Sequence, residues 1–201
     1  VIIDLGTGDG RAALALAEAE PTTLVIGVDA DAASMADTSR RAARKPARGG
    51  RSNVLFVVAS AETPPAELAG LADEIRILFP WGSLLRGVLG HDPRVVCGIT
   101  SLARPGAIVS AILSVTATDA IGGISSLDDA AIDEVAHATR QSGLRLTEAC
   151  PVDREKVRAT RSTWGRRLLG AAGERPVWRL EFVTEQANTE PDGRRPAEAG
   201  V

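Results

Sequence analysis

A chain of 201 residues with 44% hydrophobic content suits one domain with a substantial core, and a formal net charge of −3 does not by itself point to a nucleic-acid partner. Cys97 and Cys150, both in apolar sequence surroundings, make no disulfide framework, and His91 and His137 stand apart from any cysteine cluster; a reducing cytoplasm is expected and a metal site is not. No apolar run reaches the roughly 20 residues that span a bilayer, so no membrane partner is expected.

The first strand is read at Val1–Leu5 and runs into Gly6-Thr7-Gly8-Asp9-Gly10. Glycine suits a turn from strand to helix whose backbone lies against a ligand, where a Cβ atom has no room. A dinucleotide fingerprint places its third glycine one position later, where Arg11 stands, which disfavours a dehydrogenase. With Asp4 ahead of the loop, the pattern resembles motif I of S-adenosylmethionine-dependent methyltransferases. That resemblance implies that Asp4 and the loop Gly6, Thr7, Gly8 and Gly10 hold the cofactor. The chain begins inside this strand, so a preceding N-terminal segment is expected to be missing.

A helix of small residues, Ala12–Glu20, is ended by Pro21, and the second strand is Leu24–Asp29. Asp29 closes that strand about 20 residues after the glycine loop, the place of a carboxylate that accepts ribose hydroxyls. A helix over Ala32–Arg44 is broken by Pro46 and Gly49-Gly50. The third strand is Val54–Val58, with Ser60-Ala61-Glu62-Thr63 at its ligand edge. The fourth, Glu74–Phe79, gives way to Pro80-Trp81-Gly82 and a helix from Ser83. A helix over Arg94–Ala103 leads to a fifth strand at Ala107–Val115. After Gly122-Gly123, Asp128–Gln141 has helical periodicity and Gly143 as its C-terminal cap. The sixth strand is Leu144–Ala149 and the last lies near Val177–Val183.

Strands and helices in alternation predict an α/β, doubly wound sheet. The cofactor resemblance implies the class I S-adenosylmethionine-dependent methyltransferase (Rossmann-like) form, mostly parallel and seven-stranded with an antiparallel last strand. Residues 1–184 form the domain, and 185–201 are read as a disordered tail.

The acceptor of the methyl group must be read from the loops at the sheet edge. Three tryptophans stand out in a chain with 3% aromatic residues and no tyrosine. Trp81 follows the fourth strand and Trp164 lies between the sixth and seventh, so both reach the same rim. Two flat side chains there can stack on both faces of an extruded base, each contributing roughly 1–3 kcal/mol. Trp178, within an apolar strand, is read as core.

The net charge conceals a segregation. Arg40, Arg41, Arg44, Lys45, Arg48 and Arg51 fill one window without an acidic residue, and Arg154 to Arg179 holds eight basic residues against two acidic ones. Each window taken alone is compatible with a solvated helix face, but together they suit a polyanion.

The segments Phe79-Pro80-Trp81-Gly82-Ser83-Leu84-Leu85-Arg86-Gly87-Val88-Leu89-Gly90 and Ser162-Thr163-Trp164-Gly165-Arg166-Arg167-Leu168 resemble the Kam (kanamycin-apramycin resistance) family of aminoglycoside-resistance methyltransferases. The similarity extends through Asp4–Gly10, Asp29–Asp31, Lys45–Gly50 and Ala59–Glu62, to about residue 184. It implies methylation of N1 of adenine 1408 of 16S rRNA in the 30S subunit, with S-adenosylmethionine as cofactor and a monomer as the working form. On matching positions, Ala61 and Glu62 would contact the adenine of the cofactor, Trp81 and Trp164 would sandwich the target base, and Ser162 would help position it. No general acid or base is implied, because adenine N1 already carries a lone pair at neutral pH. Arg40, Arg41, Arg44, Lys45, Arg48 and Arg51, with Arg166 and Arg167, would meet RNA phosphates, and Arg175 would steady the extruded nucleotide. The rival readings are a small-molecule methyltransferase and a catalytically silent ribosome-binding protein of the same fold.

Overall fold

The computed structural model describes residues 1–116, 119, 124, 126–170 and 175–185. One sheet runs in the order β3-β2-β1-β4-β5-β7-β6. Its strands are β1 (Ile2–Leu5), β2 (Val25–Asp29), β3 (Val54–Val58), β4 (Ala72–Leu78), β5 (Ala103–Leu113), β6 (Leu144–Pro151) and β7 (Trp178–Thr184). The first five are parallel, and β7 pairs antiparallel with both β5 and β6, as the methyltransferase resemblance implied.

The connections are helical: α1 (Arg11–Ala19), α2 (Ala32–Ala42), α3 (Gly82–Val88), α4 (Pro93–Leu102) and α5 (Asp129–Arg140), then α6 (Arg154–Ala159) and α7 (Thr163–Gly170) between β6 and β7. Aspartates set four of the N-termini. The carboxylates of Asp31, Asp92, Asp128 and Asp153 each accept backbone N–H groups that the first turn leaves without a partner. Alternation along the strands sends Ile3, Leu5, Ile26, Val28, Ile75 and Ile77 to one face, where they pack with Leu85, Val95, Ile99 and Val135 of α3, α4 and α5. Ala13, Leu14, Ala17 and Ala42 of α1 and α2 pack with Val25 and Val54 on the other face. A small third cluster of Phe79, Val157 and Val177 lies under α6 and α7.

Three sequence expectations are corrected. The fifth strand, read from Ala107, begins at Ala103, the residue read as the end of the preceding helix, because Ala103 already pairs with Ala72 ahead of an irregularity in the ladder. The short helices α6 and α7 were not anticipated, since at six and eight residues neither is long enough to show a sustained period. Cys97 is exposed and Cys150 half-buried, despite apolar neighbours in sequence. On α4 the inward positions are Val95, Val96, Ile99 and Leu102, and Cys97 falls on the other side. The expectations for Gly122-Gly123 and for residues beyond 185 lie outside the described residues.

Candidate active site

Parallel strands bring their C-terminal ends to one edge, and that edge carries the site. The chain leaves β1 with left-handed glycines at Gly6 (φ +75°) and Gly10 (φ +72°), a region that side chains strain to enter. A Cβ on Gly10 would also stand 2.5 Å from the ring of Phe56, so the loop can lie flat on β3 only with glycine there. Gly8 donates its N–H to Oδ2 of Asp29 at 2.8 Å, while Oδ1 of Asp29 accepts from Asp31 N–H at 2.9 Å. Asp29 is thereby fixed at the end of β2, with one of the lone pairs of each oxygen engaged.

Asp4 is 2% exposed, within the strand that leads to the loop. Its Oδ2 accepts the Thr7 hydroxyl at 2.6 Å, but Oδ1 is buried with no hydrogen-bond partner. Burial raises its pKa to about 6; the Thr7 hydroxyl and the charge of Arg76 on the neighbouring strand oppose that rise, and Asp29 and Asp9 add to it. An unpaired buried carboxylate oxygen beside a glycine cradle is a site for a cation or a strong donor.

Two cavities share this edge. One of about 310 Å³ is lined by Gly6, Gly8, Asp29, Ala61, Glu62, Trp81 and Trp164 among others. The second, of about 190 Å³, lies between Asp4, Thr7, Asp9 and the start of α7 at Ser162, Thr163 and Trp164. Gly6, Gly8, Leu78 and Trp164 line both. A larger cleft of about 570 Å³ crosses the face of the sheet between α1 and β7 and borders the site at Asp4, Ala12 and Leu78. Several of its charges are internally paired, Arg76 with Glu74 and Arg179 with Glu181, and it lacks the strand-end loops; the edge cavities are the better reaction site.

Most of the residues singled out from sequence meet here. Glu62 holds the Ser83 hydroxyl, which keeps its carboxyl below the usual range. Trp81 and Trp164 are 76% and 49% exposed, the opposite of core fillers, whereas Trp178 packs against the core as expected. Arg167 lies over the Trp164 ring at 5.4 Å. Ser162 is buried, and its Oγ accepts the Gly165 N–H at 3.3 Å, capping α7 while its own hydrogen remains available. Phe79, immediately before Pro80-Trp81, adopts φ +52° and packs against Gly165, where any Cβ would approach its ring to 2.7 Å. That contact seats α7 beside the tryptophan of the other loop, a relation between positions 79 and 165 that nothing in the sequence signals.

The basic residues divide. Arg40 pairs with Asp37 and Arg51 with Glu18, a partner from α1 that the local window could not reveal. Among the described residues, Arg41, Arg44, Lys45 and Arg48 are exposed without an ion-pair partner. Arg41 lies in the last turn of α2 and the other three in the connection to β3, at the edge opposite the cavities, roughly 16 Å away by the length of α2. Arg175 is drawn inward, with Nη2 donating to Asp119 at 2.6 Å and to Thr116 at 3.1 Å. Arg166 and Arg167 are exposed on α7.

A seven-stranded sheet with antiparallel β7, a glycine cradle after β1 and a carboxylate closing β2 define a class I S-adenosylmethionine-dependent methyltransferase. Its residues 1–183 match the model of the family described as NpmA: 16S rRNA (adenine(1408)-N(1))-methyltransferase, and the chain belongs to that family. It is 38% identical over 173 residues to the 16S rRNA (adenine(1408)-N(1))-methyltransferase of Streptoalloteichus hindustanus, covering 84% of this chain and 80% of that one. The 16S rRNA methyltransferase KamB superposes with a TM-score of 0.84 at 34% identity, over 92% of this chain and 87% of its own. A tryptophan-to-alanine mutant of the 16S rRNA (adenine(1408)-N(1))-methyltransferase from Catenulisporales acidiphilia, solved with cosubstrate S-adenosylmethionine, gives 0.82 at 33% identity, over 97% and 87%.

Proposed function

We propose that this enzyme transfers the methyl group of S-adenosylmethionine to N1 of adenine 1408 of 16S rRNA within the 30S subunit. The observation that carries the reading is the placement of Trp81 and Trp164, two exposed indoles on the rim of one cofactor-sized cavity. Exposure of two such large apolar surfaces is costly unless a flat partner covers them. An unstacked adenine fits that requirement, and its loss of stacking in the RNA is offset by new stacking on the indoles. Arg167 occupies one face of Trp164, leaving the other for the base.

The remaining residues take roles that their contacts support. Asp4 receives the ammonium of the methionine portion through its unpaired Oδ1, and the backbone of Gly6 to Gly10 cradles the same end. Asp29 takes the ribose hydroxyls, and Ala61 with Glu62 borders the adenine. When bound, the cosubstrate supplies an electrophilic methyl on sulfur. The protein's own task is alignment, since adenine N1 is a competent nucleophile without deprotonation. Ser162 can direct its free hydrogen to the base. Arg41, Arg44, Lys45 and Arg48 hold rRNA phosphates at a distance from the reacting atoms, so that the shape of the assembled subunit sets selectivity. One chain supplies both indoles and the cofactor loop, which suits a monomer. The methylated base carries a positive charge on its Watson–Crick edge, and an aminoglycoside that bonds there meets both steric conflict and charge repulsion.

The test is to incubate the protein with unmethylated 30S subunits and labelled S-adenosylmethionine, then to map blocks to reverse transcription. A cofactor-dependent stop at adenine 1408 is expected. Incorporation elsewhere, or none, refutes the assignment.

A further inference from the structure

The glycine loop and helix α7 are joined by one side-chain hydrogen bond that spans 154 positions. Thr163 donates its hydroxyl to Oδ2 of Asp9 at 2.7 Å. The bond is directional and supported at both ends. Oδ1 of Asp9 accepts the Arg11 N–H at 3.2 Å, anchoring the carboxylate to the first residue of α1. Arg166 Nη2 approaches the Thr163 oxygen at 3.3 Å, so the hydroxyl accepts on one side and gives its hydrogen to Asp9 on the other. Asp9 also faces the N-terminus of α7, where a negative charge is favoured. Among the described residues this is the sole hydrogen bond between α7 and the loop Gly6–Gly10, and both of its members line the smaller cavity beneath the cofactor edge.

Asp9 belongs to the loop that closes on the cofactor, and Thr163 directly precedes Trp164. The rest of α7 is seated from behind, by Gly165 on Phe79 and by Leu168 beside the small apolar cluster. Packing of that kind fixes the distance of the helix from the sheet but does little to fix its rotation at the exposed end. A charge-assisted hydrogen bond at its first residue supplies that constraint.

We propose that Asp9 and Thr163 form a latch through which an ordered cofactor loop sets the angle of Trp164. Both act as positioning residues, which touch the platform's helix and not the reacting atoms. The latch deepens the rRNA methyltransferase reading, and its kinetic consequence rests on that reading. Binding of S-adenosylmethionine immobilises Gly6–Gly10, Asp9 is immobilised with it, and Thr163 passes that order to the indole. The stack on the target base therefore forms in its reactive orientation when the methyl donor is in place.

The test compares wild type with Thr163→Val, which removes the hydroxyl at nearly constant volume, and Thr163→Ser, which restores it. The intact chain is assayed for single-turnover methylation of 30S subunits, for hydrogen exchange of the amides of residues 163–168 with and without S-adenosylmethionine, and for its affinities for cofactor and 30S subunits. Thr163→Val is expected to slow methylation roughly 10- to 100-fold, the range set by misplacement of a reacting group by about 1 Å. Its cofactor affinity by calorimetry should stay within about twofold, as should its 30S affinity, and Thr163→Ser should recover most of the rate. Cofactor should protect residues 163–168 in wild type and in Thr163→Ser but not in Thr163→Val. Wild-type rates in Thr163→Val, or protection that ignores both cofactor and hydroxyl, overturns the latch. If wild type itself fails to methylate 30S subunits, the assigned reaction falls, and the exchange measurement alone decides the latch.

Discussion

Asp4 ties cofactor affinity to pH in a way that can be worked from its surroundings. Its carboxyl is buried, one oxygen has no partner, and its pKa is pushed up to about 6. A cationic ammonium binds the ionised form. With a midpoint near 6, about nine-tenths of the free protein is ionised at pH 7 and about one-tenth at pH 5, so affinity for S-adenosylmethionine should fall roughly tenfold, about 1.4 kcal/mol. The sign for stability is opposite. A raised carboxyl pKa favours the folded state while the group is protonated. That contribution is complete below the ordinary value of 3.8 and is lost as pH rises through about 6. Two units of difference set its size at about 3 kcal/mol before relaxation. Asp4→Asn should therefore stabilise the cofactor-free protein at pH 7 and much less at pH 4, while weakening cofactor binding and flattening its pH dependence. Calorimetric titration from pH 5 to 7.5, paired with thermal melts of the free protein, reads both effects. A wild-type affinity unchanged between pH 5 and pH 7 would refute the role of Asp4 as the cationic end's receptor.

Replacement of Trp81 or Trp164 by alanine should slow methylation by about 5- to 150-fold, the loss of roughly 1–3 kcal/mol of stacking. Cofactor affinity measured by calorimetry should move less than about threefold. Charge removal at Arg44, Lys45 and Arg48 together should weaken 30S binding and reduce its salt dependence, with log affinity against log salt shallower by about 2 for three lost phosphate contacts to single strands. Loss of cofactor binding in that variant would contradict the separation of the two edges. Gly10→Ala should destabilise the fold by about 1–3 kcal/mol in chemical denaturation, because it combines φ +72° with a Cβ 2.5 Å from Phe56. Gly8→Ala meets no atom within 4 Å; its cost in the free protein should be limited to backbone strain at φ +57°, and a larger cost should appear in cofactor affinity.

The parts of the site legible in sequence are those that local chemistry imposes. The glycine triplet, Asp4 and Asp29 sit at fixed offsets from strand ends because the turn and the ligand demand them there, and an exposed tryptophan after a strand has few structural uses. What the sequence concealed depends on long-range juxtaposition. Arg51 reads as a free cation until α1 brings Glu18 to 2.6 Å, and Arg175 reads as free until Asp119 meets it. Helix α7 is amphipathic over only eight residues, too short to declare itself in the sequence, and its seat is made by Phe79, whose ring packs against Gly165 from a left-handed backbone. That same turn directs the chain into Pro80 and Trp81. A single strained residue thus orients one indole through the chain and supports the other through its ring. The spacing between the two platforms depends on Phe79 as much as on either tryptophan.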